Sequence, residues 1–147
     1  MASSEKIIAT EATIDQYIPQ KAPFIMIGKL LDSTSNKTVT SLFIKEDNLF
    51  CSEGVLRESG LIENMAQTAA AGIGYVSRSA GIEPPMGFIG GLRNLQIYEL
   101  PEIGTEIRTE IKLEHEVFDA RVVSGKIYLK ERCIAECELK IFLNKIK

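Results

Sequence analysis

The sequence lacks any long hydrophobic run. No segment approaches the roughly 20 apolar residues of a membrane span, so a helical membrane protein is excluded. Residues 1–8 carry one lysine and a lone Ile7-Ile8 pair, without the basic region and apolar stretch of a secretory signal. Positive charge is also short: 17 Lys and Arg face 20 Asp and Glu, and a net charge of -3 leaves no electrostatic footprint for nucleic acid. The three cysteines, Cys51, Cys133 and Cys137, are an odd number in a chain without an export signal, which predicts reduced thiols and a cytoplasmic location. Cys133 and Cys137 share a face if 132–143 is a strand, but no second Cys or His pair completes four ligands. They read as small apolar core residues, and no metal or other cofactor is assigned. Repeats and low-complexity segments are missing too.

What is present is enough apolar material, 45% of 147 residues, for one domain over 1–147 with a real core. Thr13 precedes a short helix candidate, Ile14 to Ile18, stopped by Pro19. Phe24 to Leu31 is apolar and β-prone, and beyond the polar turn Asp32 to Lys37 the stretch Thr38 to Ile44 alternates well enough to pair with it. From Ser59 to about Arg78 the period changes: Leu61, Ile62, Met65, Ala66, Ala69, Ala70, Ile73 and Val76 recur at helical spacing without proline. Its alanines and its Gly72 and Gly74 make this helix thin, and glycine lowers helix stability unless close packing offsets it. A sheet should therefore lie tight against it. After Gly81 and Pro84-Pro85, strands are expected at about 86–98, 105–118, 120–130 and 132–143.

Grouped strands around one long helix predict an α+β class and an antiparallel sheet of about six strands. One helix cannot cover both faces of such a sheet. The sheet must curl around the helix, or an edge must pair with a second copy, and a dimer is expected.

Two segments carry a resemblance. Ile18-Pro19-Gln20-Lys21-Ala22-Pro23-Phe24 leads into the first strand, and Gly60-Leu61-Ile62-Glu63-Asn64-Met65-Ala66-Gln67 opens the long helix. Together they resemble signature segments of the β-hydroxyacyl-[acyl-carrier-protein] dehydratase family. The run Gly90 to Gln96, the corner Leu100 to Gly104 and the stretch Ile134 to Leu139 match in kind and spacing, so the likeness spans nearly the whole chain. It implies a hot-dog fold: a curved antiparallel sheet wrapped around one central helix. Two departures stand out. Gln20 occupies the position to which the resemblance assigns the family's catalytic histidine, and Arg57-Glu58 replaces a proline-glycine step before the glutamate. In its looser helix start the chain is similar to a dehydratase-like branch associated with aryl-polyene and pigment-type lipid pathways.

The reaction implied is loss of water from a (3R)-hydroxyacyl thioester on acyl carrier protein or CoA. It needs a base for the proton beside the carbonyl, an acid for the departing hydroxyl, and donors for the thioester oxygen. The resemblance makes Glu63 the acid/base and sets the histidine position and the glutamate on different subunits. On an apolar helix, burial would raise the carboxyl pKa while the dipole at the helix start lowers it. Gln67, one turn on, is placed to hold Glu63 or the leaving water. Backbone N–H groups near Ser59 and Gly60 are candidates for the thioester oxygen. Phe24, Met65, Phe88 and Ile89, with Gly90 beside them, are candidates for the acyl site, and Lys21 and Arg93 for meeting an acidic carrier. Gln20 accepts and donates hydrogen bonds but takes no proton near neutral pH. His115, the only histidine, falls in an exposed strand and makes a poor replacement base.

Three functions therefore stay open. One is a dehydratase using Glu63 with Gln20 orienting the substrate. Another is a non-catalytic subunit or acyl-carrier-binding module paired with a histidine-bearing relative, as a heterodimer rather than a homodimer or higher even oligomer. The third is an acyl thioesterase.

Overall fold

The computed structural model describes residues 7–144. The calls on the first six residues, including the missing signal pattern, lie outside them. A 3-10 turn at Ile14–Gln16 is followed by β1 (Lys29–Ser33), β2 (Lys37–Phe43), the two-residue strands β3 (Cys51–Ser52) and β4 (Val55–Leu56), and α1 (Glu58–Ser79). Four long strands complete the chain: β5 (Met86–Ile97), β6 (Glu106–Val117), β7 (Ala120–Leu129) and β8 (Arg132–Asn144). The main sheet has the order β1-β2-β6-β7-β8-β5, and every neighbouring pair is antiparallel.

Period-two burial builds its inner face. Ile107, Thr109 and Ile111 on β6 and Val123, Gly125 and Ile127 on β7 are buried, as are Ala135, Cys137, Leu139 and Ile141 on β8. Against them α1 sets Leu61 and Met65, neither with any exposed surface. Each such side chain contributes about 1.5–3 kcal/mol by leaving water. The thinness of the helix has a visible use. A Cβ on Gly72 would run into the Thr38 side chain on β2, and one on Gly125 would press on Met65 from below.

A buried polar chain fixes the rotation of α1. Asn64 Nδ2 donates to the Met26 carbonyl at 2.7 Å, and Asn64 Oδ1 accepts from Thr109 Oγ1 at 2.5 Å. Thr68 Oγ1 lies 2.7 Å from Thr40 Oγ1 and 2.8 Å from the Asn64 carbonyl. Every partner is satisfied, which makes this network a register pin rather than a liability.

The structure corrects three sequence expectations. The first strand starts at Lys29 rather than Phe24, because the backbone groups of Phe24 and Met26 are taken by helix side chains instead of a neighbouring strand. The short helix reaches only Gln16. Cys133 and Cys137 do not share a face: a bulge in the β7–β8 pairing, where Ile127 meets Ala135 but Tyr128 meets Cys133, turns Cys133 outward while Cys137 stays in the core. Burial pushes the Cys137 thiol up to about 11.

Candidate active site

The chain entering the sheet runs antiparallel along α1. Arg78 Nε donates to the Gln16 carbonyl at 2.6 Å, and Tyr17 packs edge-on against Tyr75 at 5.7 Å between ring centroids. The Tyr17 carbonyl sits where a Cβ on Gly74 would be, so only glycine lets this strap lie so close. Farther along, Gln67 Oε1 accepts from the Met26 N–H at 2.6 Å and Gln67 Nε2 donates to the Phe24 carbonyl at 2.8 Å.

Between this strap, α1 and the start of β5 lies a cavity of about 470 Å³. Residues 16–20 form one wall, and 83–85 with Gly87, Phe88 and Ile89 form the opposite one. The helix contributes Glu63, Ala66, Ala70, Ile73, Gly74 and Arg78, with Ile141 reaching in from β8. Ala66, Ala70 and Gly74 recur every four residues, so a stripe of small side chains keeps the cavity open along the rod.

Of the polar side chains that line it, Gln20 and Glu63 present free acceptors. Gln20 Oε1 is buried without a hydrogen-bond partner, and the half-buried Glu63 has no ion pair or hydrogen bond among the described residues. An unmet buried acceptor is an unusual feature that a ligand donor would relieve. Both residues line the cavity as one chain forms it, where the strap passes along the helix.

The other expected residues divide. Phe88 and Ile89 reach the cavity. Gln67 does not hold Glu63 or a water, because both ends of its carboxamide are bound to the Phe24–Met26 backbone. Gly60 is packed against Phe50 and Leu56, and its N–H already donates to the Arg57 carbonyl at 3.0 Å, so it offers nothing to a thioester. Ser59 and Phe24 are exposed, Phe24 at 57%, and with Gly90 they stand outside the lining; Met65 is in the core. His115 is exposed on the outer face of the sheet, in a separate depression with Phe118 and Phe142. Sequence reading did not single out Tyr17, Gly74, Arg78 or Ile141 as site residues. The four-residue spacing of 66, 70 and 74 was the signal that could have found the groove.

One long helix packed against a six-stranded antiparallel sheet defines a hot-dog protein, and the groove beside that helix holds a free carboxylate. The family described as ApeP-like, ApeP dehydratase, matches residues 12–146, and the chain belongs to it. Among solved structures it is similar to the dehydratase heterocomplex ApeI:P from Xenorhabdus doucetiae, with TM-score 0.83 and 17% identity over 90% of this chain and 91% of that one. Another is Cj0977, a sigma28-regulated virulence protein from Campylobacter jejuni, with TM-score 0.69 and 13% identity over 89% and 85%. A third is a hypothetical thioesterase with coenzyme A from Streptococcus pneumoniae, with TM-score 0.65 and 8% identity over 80% and 86%. No curated protein matches the chain significantly.

Proposed function

We propose that this protein is a cytoplasmic dehydratase that eliminates water from a (3R)-hydroxyacyl thioester carried on acyl carrier protein or CoA, in fatty-acid or aryl-polyene-type lipid biosynthesis. The observation that carries the reading is the cavity beside the helix that holds two unpartnered polar groups, Glu63 and the buried Oε1 of Gln20. The Glu63 carboxylate takes the proton from the carbon beside the thioester carbonyl. The electron pair left there forms the double bond as the C–O bond breaks, and the proton on Glu63 goes to the departing hydroxyl, which leaves as water. Gln20 Oε1 accepts a hydrogen bond from the substrate hydroxyl and orients it, a role that needs no proton transfer by the carboxamide.

The partner surface in this reading is β5. It is an edge strand whose Phe88, Ile89 and Leu92 are exposed, and pairing with a second hot-dog chain would cover it. A second reading rests on this chain's likeness to a chain of a dehydratase heterocomplex and on Gln20 being no base: the chain serves as the partner of a histidine-bearing relative. The test is enoyl product formation from a 3-hydroxyacyl-carrier thioester by the purified protein, alone and mixed with such a relative. Glu63→Gln is expected to lower the rate by ~10²–10⁴. Turnover unchanged by that substitution would overturn the dehydratase reading, activity found only in the mixture would select the second, and release of free acid and thiol would mark a thioesterase.

A further inference from the structure

A second cavity, of about 320 Å³, lies on a different flank of α1 from the Glu63 cavity, between the helix and strands β2, β6 and β7. Part of its wall is apolar, where Ala69, Ile73 and Val76 of the helix face Ile111, Leu113 and Val123 of the sheet. The rest is polar: Thr38 on β2, the turn 34–37 that joins β1 to β2, and Glu116 with Arg121. The two cavities share no polar residue. The cations on this wall are already matched, since Arg121 Nε lies 3.6 Å from Glu116 Oε1 and Lys37 Nζ lies 3.6 Å from Glu110 Oε1. Thr38 is not matched. It is only 5% exposed, and its Oγ1 stands against the helix, 2.0 Å from where a Cβ on Gly72 would be, with no hydrogen-bond partner among the described residues. Ser33, directly opposite in the β1–β2 pairing and hence on the same side of the sheet, keeps its own Oγ buried and unpartnered as well. Hydroxyls left unmet in this way are uncommon in folded proteins, and a ligand bonded to Thr38 would relieve one of them.

We propose that this cavity is a binding site for an uncharged amphiphile, an alkyl chain with a hydroxyl or amide head, whose head bonds to Thr38 Oγ1 while its chain lies along the apolar wall. The size agrees: the cavity has roughly twice the ~150 Å³ that admits benzene, which is room for roughly twelve non-hydrogen atoms, and octanol falls within it. The charges select the head. A carboxylate would set a second anion beside Glu116, where Arg121 is already engaged. A hydroxyl both donates and accepts, and so satisfies Thr38 without disturbing either ion pair. The site stands independently of the thioester reading, because neither Glu63 nor Gln20 lines it.

The experiment titrates the whole protein with octanol and with octanoate by calorimetry, and needs no turnover. Octanol should saturate at one molecule per chain, with octanoate at least tenfold weaker. Thr38→Val keeps the shape of the side chain and removes the hydroxyl, so it should weaken octanol about three- to tenfold. The same variant should not lower the melting temperature of the ligand-free protein, which separates a ligand contact from a structural one. Val76→Phe fills this cavity from a half-exposed position and should abolish octanol binding, whereas Ala66→Phe, which fills the Glu63 cavity, should leave it unchanged. If Val76→Phe does not fold, Thr38→Val and Ala66→Phe decide between the two cavities. Octanol binding lost in Ala66→Phe and kept in Thr38→Val would place the ligand beside Glu63 and overturn the second site, as would no binding to the unsubstituted protein. Octanoate binding as tightly as octanol would overturn the uncharged head.

Discussion

Gln67 and Glu63 lie one turn apart on α1 and do opposite things. Gln67 is almost wholly buried and ties down the strap through two backbone hydrogen bonds, whereas Glu63 keeps its carboxylate free. Replacing Gln67 by Leu strands the buried Met26 N–H, costing ~1–3 kcal/mol when left unmet, and frees the Phe24 carbonyl to water. A loss of about 1–3 kcal/mol in urea denaturation is expected, together with a weaker hold on residue 20. At Cys137 the thiol is pushed from 9.0 to about 11 by burial, so between those values the unfolded chain releases its proton first. Stability should therefore fall as pH rises through that window, and Cys137→Ala should flatten the fall in denaturation curves taken across it. Glu63 draws attention in the sequence because a glutamate among Ala, Met and Gln at a helix start is a recognisable pattern. The duty of Gln67 was not, since its partners are backbone atoms more than 40 residues away and leave no mark in side-chain type.

At the scale of elements, alternation and helical spacing carried most of the reading. The long helix and the last four strands fall within a residue or two of where periodicity puts them, because each is long enough for its buried face to repeat several times. β3 and β4, two residues each, are too short to show a period. The first strand was misplaced for a different reason: Phe24 to Gly28 is apolar enough for a strand but finds its partners on the helix. The bulge at Ile134 was likewise invisible, since one inserted residue changes facing without changing composition. Close approach is what the helix glycines provide, so Gly72→Leu should push α1 off β2. Overpacking of this kind costs typically 1–3 kcal/mol, measurable as a lowered melting temperature.

Over the whole molecule, the sheet runs from the edge strand β1 to the edge strand β5, which lies beside the cavity that holds Gln20 and Glu63. If pairing along β5 completes the assembly, Leu92→Glu should shift the protein toward monomer in sedimentation velocity, and the same change on the outer face at Val117 should not. The account depends most on where a substrate sits. The direct measurement is a crystal structure of the protein with a 3-hydroxyacyl-pantetheine in which an amide replaces the thioester. The predicted result has the ligand hydroxyl donating to Gln20 Oε1 and the Glu63 carboxylate within hydrogen-bond reach, about 2.6–3.2 Å, of the hydroxyl or the adjacent carbon. A ligand seated elsewhere, with Gln20 and Glu63 untouched, would contradict it.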